Sequence, residues 1–382
     1  MPVPRQSTLP AASVIIPSLL LAGILTATAD PVAFQGLGFL SEPDAYTRAY
    51  GISADGSTVI GGSAIGEYFW SFRWSNGMMT ALPKSNASNI AISQGHAVSA
   101  DGSVIVGMEF DLNTYTTSGY RWSAVDGLQV LPYETGVVNN NVGSADAVSA
   151  DGSVIAGYGP SAFLWTTADS VTSLPHLTGG ENDYSHAHGI SADGTVIVGA
   201  SDSTEGEFAF RWTEVDGTQQ LNIPDASWSD AMGISGDAST IVGAFSVGAS
   251  ASETAFAWTA LGVVTLSALS IDEGTISRAT ATSSDGVWAV GESAGRAALW
   301  DTRTGSIWDI NDIVASQLDF TGWTLETATG ISADGKKIVG NGLNPDGTPA
   351  GWIIDLNAVP EPSSTGLMAV AMGGLLLRRR RD

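Results

Sequence analysis

Histidine and aspartate side chains that could bind a ligand or transfer a proton recur at two fixed places in this chain. His96, Asp146 and His188 lie five residues before the aspartate of a repeated Ser-x-Asp motif, and His186 and Asp230 lie seven residues before it. Imidazoles and carboxylates bind metal ions and move protons. His186 and His188 project from the same face of a strand, as metal ligands could. These five residues are the candidate binding site, and a structural cation is one candidate ligand.

The alternative for these five residues is a packing role, with each polar side chain satisfied by its own surroundings. The argument for a site is positional. Two positions differ from repeat to repeat. Seven residues before the motif aspartate lie Arg48, Gln94, Ser144, His186, Asp230, Arg278 and Thr327, and five residues before it lie Tyr50, His96, Asp146, His188, Met232, Thr280 and Thr329. If the strands that carry them line one central channel, their side chains share one mouth of it.

The seven motif aspartates are poor candidates for chemistry, although they are the most regular feature of the chain. Each has a serine two residues before it and a glycine six residues after it, and they are Asp55, Asp101, Asp151, Asp193, Asp237, Asp285 and Asp334. Identical local motifs cannot all converge on one substrate, so we interpret these aspartates as turn residues. No isolated pair of carboxylates, serine-nucleophile elbow or phosphate-binding loop stands out. No catalytic residue is therefore assigned, and the chain is predicted not to be an enzyme.

Short strands must position the candidate residues. The spacing of the motif aspartates, 42 to 50 residues, is typical of a repeat architecture. Period-two alternation before the motif predicts a strand, Ser-Ala-Asp-Gly predicts a tight hairpin with glycine in the left-handed position, and Val-Ile-x-Gly predicts the returning strand. The fixed glycine indicates a bulge or a close approach from a neighbouring sheet. A third strand ends at Trp74, Trp122, Trp165, Trp212, Trp258, Trp300 and Trp352, and a fourth lies near Leu82, Leu131, Leu174, Leu221, Leu266 and Ile310.

The count of strands predicts how the repeats close. The first three strands occur seven times, but only six copies of the fourth follow a tryptophan. Residues 34–40, before the first motif, can supply the missing strand beside residues 330–355. The predicted fold is therefore an all-β β-propeller, with seven four-stranded blades and an N-terminal strand that closes the last blade. An open β-solenoid is the alternative, although nothing marks the polar end caps that it would need.

The repeat as a whole resembles the HAF family of probable extracellular repeats over residues 34–356. The resemblance is strong in Ser-Ala-Asp-Gly and in the following glycine, and weaker in the last two copies. It implies export and carries no agreed activity.

Both ends of the chain have the features of targeting segments. Residues 1–29 combine Arg5, an apolar run and the small-x-small sequence of Ala27 to Ala29, which predicts a cleaved signal peptide. An uncleaved membrane anchor is the alternative. Residues 359–382 contain three successive features, which are Pro360, Glu361 and Pro362, then an apolar run of about 12 residues, and then Arg378, Arg379, Arg380 and Arg381. An ordinary tail anchor is the alternative here.

This C-terminal order is similar to the PEP-CTERM sorting signal of Gram-negative-type bacteria that make exopolysaccharide. The resemblance implies transient inner-membrane anchoring, recognition by an exosortase after secretion, and a final place at the cell surface or outside the cell. The domain between the two segments is predicted to span residues 30–358.

Charge narrows the partners of that domain. Without residues 1–29 and 360–382, the chain has 37 acidic and 10 basic residues, a net charge of −27. Such a surface repels nucleic acid and anionic lipid, and it is compatible with cations, basic partners or neutral glycans. The chain contains no cysteine. We expect an exported structural or binding protein without a cofactor, whose ligand is an exopolysaccharide or a surface protein. The competing hypothesis is a secreted polysaccharide hydrolase or lyase with a site at one mouth of the propeller.

Overall fold

A computed structural model describes residues 33–41, 46–85, 89–132, 143–166, 170–177, 184–248, 251–315 and 320–356. These residues form β-strands almost throughout, with one short helix. The strands, in chain order, are β1 (Ala33–Gly36), β2 (Thr47–Ile52), β3 (Thr58–Ile65), β4 (Tyr68–Ser75), β5 (Met78–Ala81), β6 (Ile90–Val98), β7 (Val104–Asp111), β8 (Thr116–Ser123), β9 (Gly127–Val130), β10 (Ser144–Val148), β11 (Val154–Tyr158), β12 (Ala162–Thr166), β13 (Ser170–Ser173), β14 (Ser185–Ile190), β15 (Val196–Ser203), β16 (Gly206–Thr213), β17 (Gly217–Gln220), β18 (Trp228–Ile234), β19 (Thr240–Ser246), β20 (Thr254–Thr259), β21 (Gly262–Thr265), β22 (Ser277–Thr282), β23 (Trp288–Ser293), β24 (Arg296–Asp301), β25 (Ser306–Asp309), β26 (Thr324–Ile331), β27 (Lys337–Leu343) and β28 (Pro349–Asp355). The helix is α1 (Ile310–Val314).

The strands pair into antiparallel four-stranded sheets, as in a propeller-like fold. Strands β10–β13, β14–β17, β18–β21 and β22–β25 each form one sheet in chain order, and β26, β27 and β28 form another with β1. Strands β2–β5 and β6–β9 make two further antiparallel groups of four, which one parallel pair between Phe69 and Ile92 joins into a larger sheet. The four-stranded meander predicted for each repeat is confirmed.

The hydrophobic core lies between neighbouring sheets rather than within one central layer. Ile60 and Leu82 of one group pack against Ile105 and Tyr120 of the next, and similar clusters occupy the other gaps between consecutive sheets. One of these clusters joins the β26–β28 sheet to the β2–β5 group. The ends of the chain are therefore packed together, so the described sheets form a ring around the strands that begin each repeat.

Strand β1 closes the ring as the repeat count predicts. It pairs with β28 in antiparallel register, with Phe34 opposite Ile354. The strand is shorter than residues 34–40, since it ends at Gly36. Beyond it the backbone N–H of Leu37 still donates to the carbonyl of Gly351, at 2.9 Å. The closure joins the two ends of the domain through backbone hydrogen bonds and without a disulfide.

The repeated serine and aspartate of each Ser-x-Asp hairpin form hydrogen bonds within that hairpin. Ser149 Oγ donates to Asp151 Oδ1 at 2.7 Å, and the N–H of Ser153 donates to the same oxygen at 3.0 Å. The hydrogen bond from Ser149 lowers the pKa of Asp151 to about 2. The other six hairpins repeat the serine bond and the backbone bond. The motif aspartates thus have the structural role predicted for them.

The hairpins also bond to one another, which explains the small residue between the serine and the aspartate. Each backbone bond runs from one hairpin to the next and the last returns to the first, in the order Asp55 N to Ala100 O, Ala100 N to Ala150 O, Ala150 N to Ala192 O, Ala192 N to Gly236 O, Asp237 N to Ser284 O, Ser284 N to Ala333 O and Ala333 N to Ala54 O. A Cβ at Gly236 would lie 2.3 Å from Ser284 Oγ. Large side chains at this position would separate the hairpins.

The short fourth strand predicted near Leu82 and its equivalents is present. Leu82, Leu131, Leu174, Leu221 and Leu266 follow the strand instead of lying within it, and their backbone N–H groups bond to the neighbouring strand. Ile310 is not in a strand, because α1 begins there. Asp309 caps this helix by accepting a hydrogen bond from the N–H of Asn311 at 2.8 Å.

The two predicted targeting segments, residues 1–29 and 359–382, lie outside the described residues. Within the described part, no helix is long and apolar enough to cross a membrane.

Candidate functional site

A β-bulge in each repeat projects the residue five before the motif aspartate, and three candidates, His96, Asp146 and His188, lie at this position. The pairing of β2 with β3 shifts between Ala49 and Gly51, so Tyr50 is an extra residue on the inner strand. The same shift occurs at the equivalent place in the other inner strands, and the extra residues are Tyr50, His96, Asp146, His188, Met232, Thr280 and Thr329. A bulge re-aims a side chain relative to a regular strand. Of the two positions that vary between repeats, the bulges therefore present the one five residues before the aspartate, while His186 and Asp230 lie in regular pairing.

The fixed glycine of each repeat lies opposite this bulge. A Cβ at Gly199 would lie 1.9 Å from the carbonyl oxygen of His186, on the adjacent strand of the same sheet. The other six fixed glycines meet the corresponding carbonyl at 1.9 to 2.0 Å. Of the two alternatives that the sequence left open, a bulge is present on the paired inner strand, and the close approach comes from within the sheet and not from a neighbouring one. The glycine permits the bulge, and the bulge orients the candidate residue.

The bulged residues share one cavity at the centre of the ring. All seven line a channel of about 290 Å³, together with small and apolar residues of the same inner strands. Thr280 and Thr329 use their hydroxyls to bind the carbonyls of Ala328 and Ala49 on the following inner strand. Each of these two threonines links its own strand to the next inner strand. His96, Asp146 and His188 supply the ionisable groups of the channel.

Asp146 is the centre of the polar cluster. Its Oδ1 lies 2.6 Å from His96 Nδ1 and its Oδ2 lies 2.8 Å from His186 Nε2. Ser144 Oγ donates to Asp146 Oδ1 at 2.6 Å. A carboxylate only accepts hydrogen bonds, so both imidazole nitrogens that face it carry protons. Three consecutive inner strands, β6, β10 and β14, contribute to this cluster.

His188 extends the cluster to a fourth strand, β18. Its Nε2 lies 3.3 Å from Asp230 Oδ2, and its ring centroid is 3.9 Å from that of His186. The other oxygen of Asp230, Oδ1, is buried without a hydrogen-bond partner among the described residues. A buried carboxylate oxygen with no donor is costly.

The environment sets the charges of these groups. Burial acts to raise the pKa of Asp146, but the hydrogen bonds from His186 and His96 outweigh it and hold that pKa well below its usual range. Burial lowers the pKa of His186. Burial opposes protonation of His188 as well, but the Asp230 carboxylate outweighs it and raises the pKa of His188. Adjacent imidazoles are thus biased in opposite directions, with His186 toward neutrality and His188 toward positive charge.

All five predicted binding residues therefore meet at one place, in two connected groups. His96, Asp146 and His186 form the first group, and His188 and Asp230 form the second. Ser144, Gln94 and Tyr158 complete the site without having been predicted as members of it. Gln94 Oε1 lies 3.3 Å from His96 Nε2, and the Tyr158 ring lies 4.3 Å from the ring of His186. The position seven residues before the motif aspartate could have identified Ser144 and Gln94, because the same position carries His186 and Asp230 in other repeats.

The site does not have the geometry of a metal centre. Within the described ranges, no three histidine, aspartate or glutamate side chains are placed to hold one ion. Asp146 uses both of its oxygens on imidazole N–H groups, so they point away from a common ion. The predicted sorting residues, Pro360, Glu361, Pro362 and Arg378 to Arg381, lie outside the described residues.

Comparison with known proteins yields similarities to solved structures only. No protein-family model and no curated protein matches the chain. The chain is similar to TolB from Acinetobacter baumannii at 13% identity and a TM-score of 0.41, over 79% of this chain and 81% of that chain. It is similar to a putative TolB from Agrobacterium tumefaciens at 13% identity and a TM-score of 0.40, over 82% and 91%. It is also similar to dipeptidyl peptidase 4 from Porphyromonas gingivalis at 11% identity and a TM-score of 0.45, over 85% of this chain and 52% of that one.

Proposed function

We propose that this protein is an exported, non-catalytic binding protein, built as a seven-bladed β-propeller with its ligand site at the mouth of the central channel. The observation that carries the proposal is the convergence of His96, Asp146, His186, His188 and Asp230 on one polar cluster. These residues come from four consecutive inner strands, at the positions where the repeats differ. Three of them, His96, Asp146 and His188, line the central cavity, and His186 and Asp230 contact Asp146 and His188. A rigid ring with variable residues around one cavity is suited to selective binding.

The chemistry of the cluster favours a ligand rich in hydroxyl groups. Carboxylates accept hydrogen bonds and imidazoles donate or accept them, and His96, Asp146 and His188 of the cluster line the channel. Sugar hydroxyls both donate and accept, so they match such a mixed set. The net charge of −27 on the domain, without residues 1–29 and 360–382, disfavours polyanionic partners at long range. A neutral glycan is the ligand class that agrees with both features.

The binding proposal predicts that Asp230→Asn weakens glycan binding. The substitution removes the charge that faces His188, a residue that lines the channel. Hydrogen bonds to charged groups are worth about 1.5–3 kcal/mol, so we expect a loss of roughly tenfold or more in affinity. Isothermal titration with neutral hexasaccharides of glucose and of mannose measures it. Asp216→Asn, on the outer hairpin between β16 and β17, is the matched control and should bind as the unmodified protein does. Unchanged affinity in Asp230→Asn would remove the channel mouth from the binding site.

The hydrolase or lyase alternative is decided in the same reactions. The hydrogen bonds among His96, Asp146 and His186 are the feature that would favour proton transfer. A non-catalytic protein leaves each hexasaccharide intact, so chromatography after long incubation should recover it unchanged. New reducing ends or unsaturated products would replace the binding proposal by the enzymatic one.

For localisation, we propose that the signal peptide and the sorting tail act in sequence, and that an exosortase and the secretion machinery are the partners. The support is the order of features in residues 359–382 and the resemblance of the repeats to the HAF family. The apolar run is too short to hold a span without help, and the arginines retain its end in the cytoplasm. Anchoring is transient in this proposal, and the final place is the cell surface or the extracellular matrix.

Replacing Arg378, Arg379, Arg380 and Arg381 by glutamine is expected to leave the precursor unprocessed and mis-sorted, because nothing then holds the tail end inside. Immunoblots of cell fractions should show a larger protein that is absent from the surface fraction. Lys336→Gln, which removes an exposed cation within the domain, should sort normally. Normal processing of the four-arginine variant would argue against an exosortase signal.

A further inference from the structure

We propose that a groove beside the channel mouth, lined by Tyr46, Arg48, Glu67, Tyr68 and Gln94, is a second subsite that holds further sugar rings of a neutral oligosaccharide. The inference rests on the proposed function and deepens it, because it makes the ligand an extended chain rather than a single sugar. The groove encloses about 670 Å³, within the range of about 300–1,000 Å³ that is typical of ligand sites.

Two exposed tyrosines give the groove its apolar surface. The side chains of Tyr46 and Tyr68 are 42% and 47% exposed. The ring of Tyr46 stacks on buried Phe69, with centroids 5.1 Å apart and an angle of 23° between the planes. Lys84 Nζ lies 5.3 Å from the centroid of the Tyr68 ring. The Tyr46 ring is held by its stacking on Phe69, so the two tyrosines together offer a platform for the apolar face of a sugar ring.

The polar groups of the groove match a neutral polyol. Arg48 supplies donors, Glu67 supplies acceptors and the amide of Gln94 supplies both. Arg48 forms no ion pair with any described residue, in a domain where acids greatly outnumber bases. A balanced set of one cation, one carboxylate and one amide satisfies hydroxyl groups without requiring a charged ligand. The surrounding negative charge further disfavours an acidic oligosaccharide.

The groove and the channel mouth are continuous. Tyr50 lines both cavities, and its ring packs edge-on against His96 with centroids 5.5 Å apart. Gln94 lines the groove and also lies 3.3 Å from the ring of His96. One sugar chain could therefore occupy the polar cluster with one end and the tyrosine platform with the rest. This continuity predicts that affinity rises with the length of the chain.

The test compares chain lengths on the full chain, produced with both terminal segments and purified in mild detergent. Titration calorimetry with glucose, cellotriose and cellohexaose, and with the corresponding mannose series, should show affinity that increases with length. We expect Tyr68→Ala and Tyr46→Ala each to weaken hexasaccharide binding roughly tenfold, as is typical of exposed aromatic anchors. Neither variant should change the affinity for the monosaccharide, which the channel mouth binds alone.

Tyr115→Ala is the matched control, because it removes another exposed tyrosine from the hairpin between β7 and β8. It should bind every sugar as the unmodified protein does. Equal affinity for short and long sugars, or hexasaccharide affinity unchanged in both groove variants, would overturn the subsite. Binding of a hexauronate in preference to the neutral sugars would overturn the ligand class. Loss of binding in the groove variants with no effect of Asp230→Asn would retain the groove and reject the channel mouth, so the two proposals fail in different ways.

Discussion

Replacing Phe34 with alanine is expected to lower the free energy of unfolding by about 3–5 kcal/mol, as for large buried aromatic residues in general. Phe34 belongs to a strand of only four residues, yet it is 5% exposed. Its ring meets Phe320 and Trp323 edge-on, with centroids 5.5 and 5.2 Å away. The same cluster contains Trp352 and Leu325. This one side chain therefore fixes the N-terminal strand to the last sheet.

Deleting residues 33–40 should have a larger effect than the point substitution. The deletion also removes the backbone pairing of β1 with β28 and exposes an unpaired strand edge. Chemical and thermal denaturation measure both changes. Leu261→Ala, at a 99% exposed position on the outer hairpin between β20 and β21, is the control and should be nearly neutral. Stability of the deletion variant equal to that of the control would show that the ring does not depend on its N-terminal strand.

Most of the fold could be predicted from the sequence because the same pattern of strand and turn residues recurs in every repeat. Alternation, turn residues and the aromatic positions predicted the strands. The absence of a fourth strand after Trp352 predicted that an N-terminal strand completes the last sheet. The helix α1 was not predicted, because a single Asp309 cap is a weak signal inside a repeat that otherwise places a strand there. The bonds between hairpins were not predicted either, since their backbone groups have no side-chain signature beyond the small residue at Ala192 and its equivalents.

The candidate site could be predicted as a set of positions but not as a geometry. Variation between otherwise similar repeats identified His96, Asp146 and His188. The fixed glycine left a bulge as one of two possibilities, but the sequence could not show that the extra residue is the one five before the aspartate, on the strand opposite that glycine. It also could not show that both oxygens of Asp146 would bond to imidazoles, which is why a cation remained a candidate ligand until the directions of the groups were known.

Replacing Gly199 with alanine is expected to destabilise the protein by about 1–3 kcal/mol and to disrupt the polar cluster, because the new Cβ would overlap backbone on the neighbouring strand. That Cβ would lie 1.9 Å from the carbonyl oxygen of His186 and 3.0 Å from the Cα of Ala187. Neither atom belongs to a flexible side chain, so the inner strand must move. His186 moves with it, and its hydrogen bond to Asp146 weakens.

Two measurements separate this effect from ordinary loss of packing. Denaturation reports the stability, and the imidazole resonances of His186 and His188 report the cluster under conditions where the variant is folded. Gly159→Ala is the matched control, because a Cβ there would meet only the carbonyl of Ser161, at 3.9 Å. It should keep both the stability and the imidazole signals of the unmodified protein. Unperturbed imidazole signals in folded Gly199→Ala would mean that the bulge does not orient the site, and that the glycine serves the strand pairing alone.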